Sequence, residues 1–346
     1  MCTHFHLSAR DGSLTVGRSM EYGQKLEPAF YLHRRGEPLF QPRWPDEAFA
    51  AMAEAAPLAG DYGYAGIATK NVLPFAPQLA PLTDRILTDG INEAGLSVSL
   101  LWFPDARYEP WRGKDATVLA PLFCNWALAH CGSVAELRER LKQVNFWLPE
   151  TLASLMPFHA AIVDARGESV VVEFVDGAKV VHANTVGVCT NGPSFPWHRT
   201  NLGNYLNLTP DDPQPGMLGS HHAQEPGHGG GLAGLPGNAT PPARFVRIAY
   251  LKQFSNVPAD WDEARQLATH LLNSVDIPRG TVRGEHGYQD YTQYAALKSP
   301  TRKLLAFRTD ASMHYRALDL SRIDFATVKS GVLDTPPLPD FTVVNA

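Results

Sequence analysis

Cys2 has more chemistry within reach than any other residue of this chain. It stands directly behind Met1 in Met1-Cys2-Thr3-His4-Phe5-His6-Leu7. Cysteine is small enough for a methionine aminopeptidase to remove Met1 ahead of it. The chain would then begin with a thiol nucleophile and a free α-amine. That amine has an ordinary pKa of roughly 7.7–8.0, so it can serve as a base near neutral pH. Gly17-Arg18-Ser19-Met20-Glu21 adds a cation and a carboxylate at the end of the first predicted hairpin. A strand returning from a tight turn would bring Arg18 and Glu21 beside Cys2. The arginine would favour the thiolate there, and the carboxylate would hold the α-amine. Position and spacing alone equally allow a small buried residue on a first strand and a surface ion pair.

Other chemistry-bearing patterns fall short. Gly229-Gly230-Gly231-Leu232-Ala233-Gly234 fits G-x-G-x-x-G, but it follows no predicted strand and runs into Leu235-Pro236-Gly237 rather than a helix. His228-Gly229-Gly230-Gly231 has the form of an esterase oxyanion loop. The required G-x-S-x-G elbow is missing, since Gly95-Leu96-Ser97-Val98-Ser99 fails at its last position. His221, His222 and His228 fall in a loop where histidines are usually solvated. His4 and His6 share a strand face but have no ligand-spaced partner nearby. No metal and no cofactor are expected.

Composition narrows the function classes. A net charge of −5 with no long basic run argues against nucleic acid as a partner. No apolar stretch approaches the roughly 18–20 residues that span a bilayer. No basic segment followed by an apolar core opens the chain, so no secretory signal is read there. Four cysteines (Cys2, Cys124, Cys131, Cys189) without a C-x-x-C pair suit a reducing cytoplasm better than a disulfide framework.

The elements that must position Cys2 are legible in outline. Phe5 to Arg18 reads as two short strands around a turn at Asp11-Gly12. Ala160–Val163, Ser169–Phe174 and Lys179-Val180-Val181 read as an antiparallel meander with turns at Asp164 to Gly167 and Asp176-Gly177. Pro121 to Cys131 reads as an apolar helix. Ser133-Val134-Ala135-Glu136 is a capping box, followed by Leu137, Leu141 and Val144 at helical spacing. A further helix runs from an N-cap at Asp260 to Asn273. Asp211 to Gly237, rich in Gly, Pro and His, is a long loop that resembles a linker and is more often functional or interfacial. Strands and helices without a βαβ rhythm indicate an α+β layered domain.

Several segments together resemble the choloylglycine hydrolase family, which contains the bile salt hydrolases and penicillin V acylases. They are Met1-Cys2-Thr3, Gly17-Arg18-Ser19-Met20-Glu21, Asp89-Gly90-Ile91-Asn92-Glu93-Ala94-Gly95-Leu96 and Thr190-Asn191-Gly192-Pro193. Phe195-Pro196-Trp197-His198, the stretch from Leu235 through Pro241 to Ala243-Arg244-Phe245, and Asp290-Tyr291-Thr292-Gln293-Tyr294 complete the set. They fall in family order over nearly the whole chain, so residues 2–346 are expected to form one domain. The resemblance implies an N-terminal nucleophile hydrolase with an αββα sandwich, cleaving non-peptide linear amides without a cofactor. It makes Cys2 the nucleophile, with its own α-amine managing the proton, and puts Arg18 by the sulfur. The residue at position 21 would contact the amine, Asn191 would help form the oxyanion hole, and Arg244 would brace the cluster.

Two departures from the family pattern stand out. Glu21 replaces the usual aspartate and is one methylene longer. Trp102, in Leu100-Leu101-Trp102-Phe103-Pro104, replaces an asparagine of the bile salt hydrolases. It looks like the tryptophan of a Gram-negative branch that includes penicillin V acylases and N-acyl homoserine lactone acylases. Trp102, Phe103 and Phe5 are therefore expected to bind an apolar acyl group, phenoxyacetyl or fatty acyl ahead of a steroid acid. A bile salt hydrolase is the alternative, and a catalytically impaired ligand-binding relative is an alternative of another class. The retained Asp211–Gly237 segment implies either a homotetramer contact or a lid.

Overall fold

Two antiparallel sheets, face to face, carry most of the chain. The computed structural model describes residues 1–39, 59–70, 85–113 and 117–334; residues 335–346, the end of the expected 2–346 unit, lie outside the described residues. The strands in chain order are β1 (Cys2–Ser8), β2 (Leu14–Tyr22), β3 (Glu27–His33), β4 (Tyr64–Lys70), β5 (Leu87–Asn92) and β6 (Ser97–Trp102). A short parallel pair follows, β7 (Thr117–Leu119) with β8 (Asn145–Trp147). Then come β9 (Phe158–Val163), β10 (Ser169–Val175), β11 (Ala178–Ala183), β12 (Val188–Cys189), β13 (Gly216–Leu218) and β14 (His221–Ala223). The last are β15 (Val282–Arg283), β16 (Gln289–Ser299), β17 (Leu304–Thr309), β18 (Ser312–Asp319) and β19 (Gly331–Val332).

The first sheet has the order β12-β1-β2-β16-β17-β18, with β15 on β16; the second runs β11-β10-β9-β6-β5-β4-β3-β19. Helices α1 (Phe123–His130) and α2 (Val134–Leu141) precede a single turn, α3 (Glu150–Ala153). After these come α4 (Phe195–Asn201), α5 (Pro241–Phe254) and α6 (Trp261–Asn273). Helix α1 packs on β5 and β6, while α5 and α6 pack on β1 and β2. The result is the expected α+β sandwich of helix, sheet, sheet and helix.

The local signals explain the ends of these elements. Asp11 accepts from the Ser13 nitrogen at 2.9 Å, and Gly12 takes φ +83°, closing the first hairpin. Asp176 and Gly177 both have positive φ, the requirement of a two-residue hairpin turn. Ser133 caps α2 by accepting from the Glu136 nitrogen at 3.2 Å, and Asp260 caps α6 through the nitrogens of Asp262 and Glu263. Two expectations shift. Pro121 opens a 3₁₀ turn over 120–122 and α1 starts only at Phe123; α2 ends at Leu141, short of Val144.

The 211–237 segment departs further from expectation. It contains the exposed hairpin β13–β14 and a 3₁₀ turn at Gly230–Leu232. Its base is tied by the Asp212 carboxylate, which accepts from His228 Nδ1 at 2.6 Å and the Gly229 nitrogen at 2.7 Å. Met217 and Leu218 stand exposed at the hairpin.

Candidate active site

Register decides which side chains meet Cys2. Successive strand residues face opposite sides, and β1 pairs with β2 so that Cys2 lies opposite Met20 and His4 opposite Arg18. On the next strand, β16, Tyr294 lies opposite Met20 and Ala296 opposite Arg18. Cys2, Met20, Arg18, His4, Tyr294 and Lys298 therefore share the inner face, toward the second sheet. Thr3, Phe5 and Glu21 share the outer face, toward α5 and α6.

On the inner face Arg18 is fully buried. Its Nη2 lies 3.4 Å from Cys2 Sγ, 3.2 Å from Met20 Sδ and 3.1 Å from the Leu100 carbonyl oxygen. Its Nε lies 3.6 Å from Asp89 Oδ2, on β5. Lys298 Nζ donates to Asp89 Oδ1, to Ser99 Oγ at 2.8 Å and to the Val98 carbonyl at 3.2 Å. His4 Nδ1 is 3.0 Å from Ser99 Oγ. Burial, and then the nearby Lys298 charge, hold His4 far below its ordinary value, so it is neutral.

On the outer face Arg244 reaches in from α5. Its Nη1 donates to the Cys2 carbonyl at 2.6 Å and to Thr3 Oγ1 at 2.5 Å; its Nη2 donates to Asn191 Oδ1 at 2.8 Å. Thr240 caps this helix and Pro241 starts it, which fixes the approach of Arg244 one turn later. Asn191 Oδ1 also accepts from the Cys2 nitrogen at 2.7 Å, while Asn191 Nδ2 donates to the Trp102 carbonyl at 2.8 Å. A carboxamide nitrogen carries two hydrogens, so one remains for a reacting oxygen. Glu21 Oε1 accepts from Thr292 Oγ1 at 2.9 Å, and Oε2 lies 4.0 Å from Arg244 Nη1. Its carboxylate thus sits on the face opposite Sγ, and the Cys2 nitrogen is held by Asn191. Glu21 holds Met1 through its backbone instead, its carbonyl accepting from the Met1 nitrogen at 2.6 Å. The Met1 ammonium also lies 3.5 Å from Asp290 Oδ2.

Behind Asn191, two histidines hold neighbouring carbonyls. His159 Nε2 donates to Thr190 O at 2.8 Å, and its Nδ1 lies 3.3 Å from Glu173 Oε1. Burial alone would lower His159, but Cys189 and Glu173 push it up to about 10. Both ring nitrogens donate, as an imidazolium requires. His198 Nε2 donates to Asn191 O at 2.8 Å, and burial holds this ring down at about 4, in its neutral form.

A cavity of about 770 Å³ opens over Cys2. Met20, Leu100, Trp102, Leu155, Phe158 and Tyr288 give it an apolar lining, and Asn191, Glu21 and Asp290 reach its edge. The half-buried Trp102 ring meets Phe158 edge-on at 6.1 Å. Four expected residues, Cys2, Arg18, Asn191 and Arg244, come together in one hydrogen-bonded cluster, Glu21 approaches it through Arg244 at 4.0 Å, and Trp102 lines the cavity. Phe5 and Phe103 do not line it. The Phe5 ring lies over Gly17, where an added Cβ would come within 2.4 Å of it, and Phe103 stacks on His159 at 4.9 Å. Met20 and Asp89 lie inside recognised motifs but were given no role, and Ser99, Lys298, Leu155 and Phe158 are site residues that motif reading missed. Among the described residues, no cluster of three His, Cys, Asp or Glu side chains is arranged to hold a metal.

The model of the linear amide C–N hydrolases, choloylglycine hydrolase family, matches residues 2–332. The chain belongs to this family. It is a hydrolase of carbon–nitrogen bonds in linear amides. The bile salt hydrolase/transferase of Clostridium perfringens is 30% identical over 329 residues, 93% of each chain. The penicillin V acylase of Pectobacterium atrosepticum is 28% identical over 258 residues, 69% of this chain and 63% of that one. Among solved structures of the family, the variant R18L of the conjugated bile acid hydrolase from Clostridium perfringens superposes with a TM-score of 0.81. It is 26% identical and covers 99% of both chains. The penicillin V acylase from Agrobacterium tumefaciens, 20% identical with a TM-score of 0.73 over 94% and 88% of the two chains, shares the fold.

Proposed function

We propose that this chain hydrolyses a linear amide with an apolar acyl group through an acyl-thioester on Cys2. The observation that carries this reading is the thiol itself, which lines the cavity with a buried guanidinium 3.4 Å away. Once Met1 is removed, the α-amine takes the thiol proton and Sγ attacks the amide carbonyl carbon. The oxyanion accepts a hydrogen bond from the remaining Asn191 Nδ2 hydrogen. The α-amine of Cys2 passes a proton to the leaving nitrogen, the C–N bond breaks, and the amine departs. The same amine then accepts a proton from water, which attacks the thioester and releases the acid and the thiolate. Asn191 Oδ1 keeps the amine beside Sγ throughout.

Aromatic and branched side chains at Trp102, Phe158 and Leu155 support an acyl group of the phenoxyacetyl or fatty acyl class, as in penicillin V or an N-acyl homoserine lactone. A bile salt is the second reading, favoured because relatives 30–36% identical are named for bile salts or conjugated bile acids. Four free, buried thiols support a reducing cytoplasm. The exposed Met217 and Leu218 of the β13–β14 hairpin support assembly into a homotetramer through that arm.

Intact-mass analysis should show loss of Met1. Penicillin V, a long-chain acyl homoserine lactone and glycocholate are then assayed with wild type and Cys2→Ala. The variant should lose turnover by on the order of 10⁴ or more. Full turnover by Cys2→Ala, or activity with Met1 retained, would sink the mechanism. A clear preference for glycocholate selects the second reading. Tight binding of these amides without turnover by wild type points to the impaired relative. Sedimentation of Met217→Asp/Leu218→Asp tests the arm, and an unchanged oligomer rules it out.

A further inference from the structure

Asp89 lies between two buried cations. Its carboxylate accepts from Lys298 on one oxygen and faces Arg18 Nε from the other at 3.6 Å. All three side chains are buried to 0% exposure, so each charge needs a partner within the protein. Lys298 Nζ has three acceptors, Asp89 Oδ1, Ser99 Oγ and the Val98 carbonyl, which matches the three hydrogens of an ammonium.

Among the remaining groups Glu21 bears a negative charge toward Arg18, but it is shared with Arg244, whose Nη1 lies 4.0 Å from its Oε2. His4 on β1 is neutral. Burial pushes the Tyr294 phenol on β16 and the Cys124 thiol on α1 well up, so both stay protonated at neutral pH. Across the sheet, the buried Arg244 and Glu21 face each other, and Asp290 faces the chain terminus. One carboxylate therefore serves two cations on the inner face. The group at which the surplus positive charge can be neutralised is Cys2 Sγ, 3.4 Å from Arg18 Nη2.

We infer that Lys298 is a positioning residue for the nucleophile: by occupying Asp89, it leaves the Arg18 guanidinium free to stabilise the Cys2 thiolate. Without Lys298, Asp89 would neutralise Arg18 alone and the inner face would have no charge left for the sulfur. The inference rests on the reading of Cys2 as nucleophile, and it adds to the account of that nucleophile's reactivity a residue that does not line the cavity.

The test is the rate of Cys2 alkylation by iodoacetamide across pH, on purified enzyme whose Met1 loss is confirmed by mass. Peptide mapping separates Cys2 from the three other thiols. This measurement needs no substrate, so it can fail while the Cys2→Ala turnover test succeeds, and the reverse. Lys298→Met should slow alkylation at pH 7 by ~10-fold and shift its midpoint to higher pH, as expected for a neighbouring charge. It should lower kcat with KM little changed. Lys298→Arg should keep most of the wild-type rate.

Because Lys298→Met leaves Asp89 less well paired and can fold poorly, Asp89→Asn/Lys298→Met provides the second arm. It removes one charge of each sign and should restore alkylation to within about threefold of wild type. A wild-type alkylation profile in Lys298→Met overturns the inference. So does a folded double variant that reacts as slowly as the single one, or ~10-fold slower than wild type where the single variant cannot be obtained.

Discussion

Cys2 sits between two unlike surroundings. Beneath it, Arg18, Asp89, Ser99, Lys298 and His4 project from five paired or facing strands and are linked through Asp89 and Ser99. Above it, much of the cavity wall comes from Pro104, Asp105, Ser154, Leu155, Gly192 and Pro193, which lie outside the strands. The floor has its geometry set by sheet register, where a one-residue slip would turn every side chain to the other face. The wall is built from loops, which tolerate change. A family can therefore keep one reaction over such a floor and alter the acyl group through the wall.

The comparison breaks if floor variants behave like wall variants. The largest effect is expected for Arg244→Met, which removes five donors and leaves Glu21 buried without its cation. Urea or thermal denaturation should show a loss of about 3–5 kcal/mol, and a smaller loss would mean that the outer face is less dependent on this pair. Asn191→Ala should lower kcat by about 10²–10³ while KM changes little; a pure KM effect would remove it from the oxyanion role.

The wall should respond differently. Trp102→Ala leaves the backbone carbonyl that Asn191 uses, so it should raise KM for an apolar acyl amide by roughly 10-fold, with kcat preserved. A fall in kcat instead would place the ring in the reaction. The smallest effect is a pH dependence of stability. Burial holds His130 and His198 at about 4. The unfolded chain, with histidines near 6.5, therefore binds more protons between those values. Their contribution is complete above pH 6.5 and lost as pH falls toward 4. The Tm should drop by about 2–4 °C or more between pH 7 and pH 5. His159 has the opposite sign, since its value is raised to about 10. Its contribution is present below pH 6.5 and fades as pH rises through 10.

The same division explains what the chain revealed before folding. Cys2, Arg18, Asn191 and Arg244 were legible because each lies in a short motif with fixed neighbours. The first hairpin, the 158–183 meander and the caps at Ser133 and Asp260 were legible because local turn chemistry encodes them. The partners of the Glu21 carboxylate were not legible. Alternation along β2 puts it opposite Arg18 and Met20, facing Thr292 and Arg244. Parity along β1 likewise turns Phe5 away from Cys2. Lys298 was silent because nothing in Ala295-Ala296-Leu297-Lys298-Ser299 says that a lysine is buried; its partner Asp89 is more than two hundred residues away in sequence. The wall residues Leu155 and Phe158 carry no signal beyond being apolar.

The bonds that lock Cys2 also set an order of events during synthesis. Its nitrogen is held by a residue 189 positions downstream and its carbonyl by one 242 positions downstream. Closing such long loops is slow relative to local folding, so these two bonds form only after Asn191 and Arg244 have been made. Once β1 closes, the Met1 nitrogen is engaged by the Glu21 carbonyl and Asp290, and its own carbonyl accepts from the Glu21 nitrogen. An aminopeptidase that needs an extended terminus works best in the interval before closure. Any chain folded with Met1 in place carries that residue on the wall of the cavity over Cys2.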